Sequence, residues 1–309
     1  MQRVPWYPIM VLVAGSCFGL ISPLLKIAYA HGFSAAEATD AQYVLGVIPL
    51  WLIVPFWRQG KRRIARGQWP ILVLSGLAGA GTSYTYYSAI LFLPASLAIV
   101  LLFQFTWMVM VIDIVVTRRL PSRAKWVGGG LIVIGTILAV GIIGHKLSHF
   151  PVWTVGFGLL SGLCYAISLY LYSYLDIETS PVLQSAVIVT VATLAAFIPF
   201  PPTFIGQIHE VHGFWLWGFI MAFFSQIAPP ILMMVAVPRV GGRMAGVLGS
   251  IELPVAVVSA RLILGEQEDM LGWIGVLLIV TGIIVSEWRT RQESGFLPPG
   301  EIPGEIKEA

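Results

Sequence analysis

The chain alternates between long apolar runs and short polar breaks, and ten such runs can be drawn: 6–30, 36–57, 69–91, 94–117, 124–143, 151–174, 180–200, 213–237, 242–264 and 270–289. Each is close to the about 20 residues that cross a hydrocarbon core of about 30 Å as a helix. A helix satisfies its own backbone hydrogen bonds inside lipid, whereas a spanning strand must close into a barrel and alternates apolar and polar positions. These runs are too long and too uniformly apolar for barrel strands. The pattern predicts an all-α integral membrane protein with ten transmembrane helices. Only Phe92 and Leu93 separate the third run from the fourth, so those two helices are expected to be antiparallel neighbours.

The runs also repeat. Cys17-Phe18-Gly19-Leu20 returns as Cys164-Tyr165-Ala166-Ile167, and Trp126-Val127-Gly128 with Gly135 returns as Trp273-Ile274-Gly275 with Gly282, both at a separation of 147 residues. A register held from the first helix of one half to its last predicts two copies of a five-helix unit, over 1–147 and 148–289. The remaining segment, 290–309, is polar and carries Pro298, Pro299 and Pro303, and reads as a disordered cytoplasmic tail. Five is an odd number, so the second copy enters the membrane in the opposite sense from the first. Two inverted units around an axis in the membrane plane suit alternating access to either side.

Composition agrees with this reading: 57% of residues are hydrophobic and 11% charged, with a mean hydropathy of +0.86. Soluble domains are about 25% charged. The placement of charge adds an orientation. With the N-terminus inside, fifteen of the eighteen Lys and Arg residues fall in inner segments, most densely at Arg58, Lys61, Arg62, Arg63 and Arg66, and Lys146 alone falls in an outer loop. Both termini are therefore expected to be cytoplasmic. The apolar stretch after Arg3 extends to about Ala30, too long for the core of a secretion signal, and reads as a retained first span. Cys17 and Cys164 occupy equivalent positions and read as small packing residues rather than a disulfide framework.

Chemistry is expected where polarity persists inside a span. Glu252 lies near the middle of the ninth run, where a charge costs about 2.5–3.5 kcal/mol on insertion scales and needs a water-filled cavity, a partner or a proton. Pro254 has no N–H to give the Ser250 carbonyl, which frees an acceptor beside the carboxylate. Glu252 is thus a candidate for binding a substrate amine or for proton coupling; a structural glutamate bonded to a neighbouring helix is the competing account. Gln104 stands at the matching place in the fourth run, 148 residues earlier, and Trp107 follows on the same helix face. Trp107 is the one tryptophan of eleven away from a span end. It either lines a cavity or simply packs between helices.

The third run is polar for lipid, from Gly79 to Ser88, with Tyr84 and Tyr87 on one face. Its counterpart holds Gln226 followed by Pro229 and Pro230, which interrupt helical hydrogen bonding. Hydroxyls that merely join packed helices would give the same pattern. Gly15, Gly19, Ser22 and Pro23 form a small, kinked face in the first run, matched by Ser161, Tyr165 and Ser168 in the sixth. The candidate cavity set is therefore Ser22, Tyr84, Tyr87, Gln104, Trp107, Tyr165 and Glu252, with hinges at Pro23, Pro229, Pro230 and Pro254.

Several functions are not expected. No Walker loop, dinucleotide fingerprint, HExxH or GxSxG motif occurs, so ATP-driven pumping by this chain alone and cofactor chemistry are not anticipated. The five histidines, His31, His145, His149, His209 and His212, all fall in outer loops, where two pairs have metal-ligand spacing but a metal site is not expected. A lipid-modifying enzyme would need acidic or histidine clusters at one membrane face, and Asp176 with Glu178 is the nearest approach. No nucleic-acid partner is implied.

Ten runs in two halves, the short third-to-fourth turn, and Glu252-Leu253-Pro254-Val255 followed by Leu264-Gly265-Glu266, Gly272-Trp273-Ile274-Gly275 and Gly282 resemble the drug/metabolite transporter superfamily of EamA type over about 6–289. The second half fits that pattern better. In the first, Thr106 stands where Pro254 stands in the other, and Val116-Thr117-Arg118 replaces Leu-Gly-Glu. Within the superfamily the chain looks most similar to YddG-type exporters of aromatic and other amino acids. The resemblance implies export of small metabolites across a bacterial inner membrane, with the lipid bilayer and a small-molecule substrate as partners; transport is either coupled to protons through Glu252 or facilitative. A broad drug or quaternary-cation exporter stands as the alternative, since a buried acid among aromatics also suits cations.

Overall fold

The computed structural model describes residues 6–90, 92–93, 95–118, 123–139, 151–198, 214–264 and 270–293. Among them every regular element is helical, apart from one isolated bridge between Lys61 and Thr179. The helices are α1 (Trp6–Ala30), α2 (Ala35–Ile53), α3 (Trp69–Ile90), α4 (Ala95–Phe103), α5 (Phe105–Thr117), α6 (Arg123–Ala139), α7 (Val152–Tyr172), α8 (Pro181–Ala196), α9 (Phe214–Ala222), α10 (Ala228–Val240), α11 (Gly242–Gly249), α12 (Glu252–Leu264) and α13 (Met270–Glu293). The last continues four residues past 289; 294–309 lie outside the described residues.

Among the described residues four helical stretches are long and apolar enough to cross a bilayer: 6–30, 152–172, 215–240 and 244–263. Shorter apolar helices occupy 101–117, 126–138, 181–196 and 270–282. Helix starts follow local chemistry. Ser34 and Glu37 form a reciprocal capping box at α2, with Glu37 N–H donating to Ser34 Oγ (3.2 Å) and Ser34 N–H to Glu37 Oε2 (2.7 Å). Ser180 caps α8, whose first residue is Pro181.

Three apolar runs are interrupted, and each interruption has a local cause. Between α4 and α5 the Gln104 N–H bonds to the Leu101 carbonyl three residues back (3.3 Å). Between α11 and α12, Ser250 bonds to Val247 and Ile251 to Leu248 in the same tightened way, both at 3.2 Å. The two breaks occupy equivalent repeat positions, and Thr106 in place of proline does not prevent the first. Between α9 and α10 the chain makes a π-helical turn, Phe223–Ile227, in which the Ala228 N–H reaches the Phe223 carbonyl. Pro229 and Pro230 then sit in the first turn of α10, and Pro254 in the first turn of α12, where a missing N–H costs nothing. Pro23 lies inside the unbroken α1.

Contacts between helices come in matched sets. α1 packs on α10 and α12 as α7 packs on α3 and α5, α2 lies against α9 as α8 lies against α3, and α6 lies along α13. Glycines make these approaches possible. A Cβ on Gly135 would stand 2.7 Å from the Gly275 carbonyl, and one on Gly282 would stand 2.7 Å from the Gly128 carbonyl. A Cβ on Gly15 would lie 3.1 Å from the Gly249 carbonyl, and one on Gly162 would lie 3.0 Å from that of Leu101. These pairs keep the separations of 147 and 148 residues found in the sequence.

The largest apolar core fills one end of the bundle, where α5, α7, α10 and α11 meet. Phe105, Val109, Leu169, Met233, Val237, Ala245 and Leu248 are all buried there. At this end the loop between α2 and α3 is tied to the turn between α7 and α8. Lys61 N–H donates to the Glu178 carbonyl (2.6 Å), Ser180 N–H donates to the Lys61 carbonyl (2.9 Å), and the Lys61 ammonium pairs with the Glu178 carboxylate. That hydrogen bond and charge raise the Lys61 pKa above its ordinary value. Gly60 has φ +84° and no room for a Cβ against Ser180, so the tie needs glycine there.

Candidate functional site

The interruption at Ser250 presents Glu252 to the middle of the bundle, 9% exposed, on the wall of a cavity of about 130 Å³. α1 contributes Phe18 and Ile21, α3 contributes Thr82, Ser83, Tyr86 and Tyr87, and α4 and α7 contribute Leu102 and Tyr165. Gln42 comes from α2, and Ser225 and Gln226 come from the π-helical turn. Such a turn carries an extra residue per turn and re-aims the side chains on it, which is why π turns recur at functional positions.

Two hydrogen-bonded chains fix the polar side. Gln42 Nε2 donates to Tyr87 Oη (3.1 Å), while the single Ser225 hydroxyl proton is shared between the Met221 carbonyl (2.7 Å) and Gln42 Oε1 (3.1 Å). Tyr43 and Ser83 share a hydrogen bond of 2.7 Å, and Tyr43 also bonds Gln226. Around the carboxylate the surroundings are aromatic. Tyr86 and Tyr165 line the cavity with Glu252, and Tyr165 meets Phe18 and Phe105 edge-on at 6.3 and 4.7 Å. Tyr165 Oη is buried without a hydrogen-bond partner.

Among the described residues Glu252 is the one charged residue on the cavity wall. A carboxylate in such a place attracts a cation, and the hydroxyls and amides opposite it can receive a neutral or anionic group. On the N-terminal side of Glu252 the helices pack closely. Thr106 and Ser250 share a hydrogen bond of 3.1 Å between α5 and α11, and a Cβ on Gly242 would stand 2.8 Å from the Leu169 carbonyl.

The residues singled out from the sequence are divided by the fold. Tyr87, Tyr165 and Glu252 line the cavity together. Gln104 and Trp107 bond to each other, Trp107 Nε1 donating to Gln104 Oε1 at 2.8 Å, with Trp107 40% exposed and neither on the cavity wall. Tyr84 is 38% exposed and packs edge-on against Phe157 at 6.4 Å. The Ser22 side chain lies outside the described residues, as do His145, His149, His209 and His212. His31 Nδ1 bonds the Ile27 carbonyl at 2.8 Å.

Sequence reasoning passed over Gln42, Tyr43 and Asp40 on α2. All three are buried, and Asp40 Oδ1 has no hydrogen-bond partner. Their signal was available: three strongly polar side chains within four positions of an apolar run.

Comparison with known proteins decides the family. The model of the EamA-like transporter family matches residues 5–141 and again 152–288. The chain belongs to that family. It is therefore a transporter of the drug/metabolite superfamily and a multi-pass inner-membrane protein. It is 26% identical over 299 residues to the threonine/homoserine exporter RhtA of Salmonella typhimurium strain LT2, covering 94% of this chain and 95% of that one. It is 25% identical over 305 residues to RhtA of Escherichia coli K12, covering 95% and 96%. A solved crystal structure superposes with a TM-score of 0.71 at 15% identity, covering 92% of this chain and 98% of the other, which shows a shared fold.

Proposed function

We propose that this protein exports neutral amino acids or related small metabolites from the cytoplasm by alternating access. The observation that carries the reading is Glu252: a buried carboxylate on a cavity wall that, among the described residues, holds no basic side chain and presents hydroxyls and side-chain amides opposite it. A zwitterion would place its ammonium on Glu252 and its carboxylate on the neutral donors across the cavity. Relatives named as threonine/homoserine exporters support an amino-acid substrate.

In this reading α4–α5, α9–α10 and α11–α12 each count as one interrupted span, which makes ten spans in two inverted units of five. The basic residues of the loops put both termini in the cytoplasm. The matched helix contacts support the two-unit scheme. Access alternates as the Thr106–Ser250 and Gly242–Leu169 contacts part at one end while α1, α12, α4 and α7 close over the other, with bending at Pro23, Pro229, Pro230 and Pro254. Protonation of Glu252 couples the cycle to inward proton flow, and Gln104 and Trp107 set the position of the first break rather than touch substrate.

A second reading has an observation of its own. Phe18, Tyr86 and Tyr165 surround Glu252, an arrangement that also binds lipophilic or quaternary cations. Counterflow in proteoliposomes with labelled threonine, phenylalanine and tryptophan, run with and without a pH gradient, separates the two. Exchange of an amino acid that a tetraalkylammonium ion does not block supports the exporter of amino acids. No exchange by folded protein, together with uptake of the cation, replaces it with the drug exporter. A rate indifferent to the gradient in both wild type and Glu252→Gln removes the proton role.

A further inference from the structure

A second chamber opens beside the first. It has a volume of about 60 Å³ and shares Phe18, Ile21, Tyr86, Tyr87 and Glu252 with the main cavity. The residues it adds are Gly19, Leu25, Ile99 and Ala256, all apolar, whereas those found only in the main cavity include Gln42, Thr82, Ser83, Ser225 and Gln226. Glu252, Tyr86 and Tyr87 therefore stand where two chambers meet: the larger adds hydroxyls and side-chain amides to these shared groups, and the annex adds only apolar side chains.

We infer that the three substituents of an amino acid are sorted at this junction: ammonium on Glu252, carboxylate toward Gln42 and Gln226, side chain into the annex of Leu25, Ile99 and Ala256. This rests on the amino-acid reading above and goes further by fixing the side-chain class. One water needs about 10–15 Å³ on this measure, so the annex holds on the order of five waters, or a side chain of about three to five heavy atoms. Threonine, homoserine, valine and leucine meet that limit. An indolylmethyl group, with about twice as many heavy atoms, does not. At Gly19 the α1 and α12 backbones are already in contact, since a Cβ there would stand 2.4 Å from the Glu252 carbonyl, so the size of the annex is set by side chains. Ile99 of α4 and Leu25 of α1 are the side chains whose removal enlarges it.

The test is competition against labelled threonine in proteoliposome counterflow. Wild type is expected to be blocked by valine and leucine at concentrations at least tenfold lower than tryptophan. N-acetylthreonine, which lacks the ammonium, and threonine amide, which lacks the carboxylate, are each expected to compete at least tenfold more weakly than threonine. Ile99→Ala, alone or with Leu25→Ala, is expected to gain phenylalanine and tryptophan exchange, a gain that misfolding cannot produce. Gln226→Leu is expected to weaken threonine more than threonine amide. Tryptophan competing as well as threonine in wild type overturns the annex assignment, and so does an Ile99→Ala protein that exchanges threonine with an unchanged ranking. Failure of wild type to exchange any amino acid overturns the underlying amino-acid reading instead, and is recognised because no competitor series then exists.

Discussion

Along the seam between α6 and α13, each half of the chain offers the other a glycine and an isoleucine: Gly135 faces Gly275 and Ile279, and Gly282 faces Gly128 and Ile132. At the two interruptions the halves behave differently. Gln104 turns its amide to Trp107 on an exposed face, while Glu252, its counterpart, stands in the central cavity. Packing tolerates duplication because two identical small surfaces make a closed, self-complementary contact. A buried charge costs desolvation, and it stands at only one of the two breaks, because Gln104 lies off the cavity wall that Glu252 lines. The matched contacts supply the frame, and the side chains that differ at the cavity supply the chemistry.

The comparison can be broken most sharply at the interruptions. Glu252→Gln is expected to lower exchange at least tenfold, and Gln104→Leu to leave it within about twofold, measured as initial counterflow rates. Equal losses in the two variants would mean that both positions face substrate. Next in size is Gly19→Ala. Its Cβ would meet the Glu252 backbone carbonyl at 2.4 Å, so α1 and α12 must separate and the carboxylate must move. Severalfold weaker threonine competition is expected, and unaltered competition would show that Glu252 is not held by this contact.

The seam is tested by Gly135→Val and Gly282→Val. Each forces a side chain into backbone and is expected to cost about 1–3 kcal/mol. Thermal unfolding in detergent should show nearly equal losses for the two, and a marked inequality would contradict equivalent packing. The smallest effect is expected at the exposed ion pair. Lys61→Ala should shift the unfolding temperature by no more than about 1–2 °C, because solvent screens the pair. Since Glu178 raises the Lys61 pKa, whatever stability the pair adds is complete below the ordinary lysine range and fades as pH rises through the raised value. A difference between wild type and Lys61→Ala that grows with alkalinity would contradict this assignment.

How far the site could be read in advance depended on what each residue type reveals by itself. Glu252 was legible because a charge in the middle of an apolar run is costly wherever it points. Tyr87 and Tyr165 were legible from the face they share with other polar or small residues. Tyr84 and Trp107 had the same credentials, yet both are substantially exposed and neither lines the cavity. A helix gives every residue a face, but the sequence does not say which face meets the axis. Gln42 and Gln226 are brought to one cavity from α2 and from a π-helical turn 184 residues later in the chain. No local pattern announces that meeting.

The amino-acid sequence by itself determined the helical class, the repeated unit with its separation of 147 residues, and the location of the costly buried acid. All three follow from interactions within a helix or between a helix and lipid, which depend on composition and spacing alone. The tertiary structure decided which polar residues share a cavity, that both halves break at the same place without a common proline, and that Glu252 stands where two chambers with different added side chains meet. Those outcomes depend on helix rotation and on contacts between residues far apart in the chain, which only packing sets.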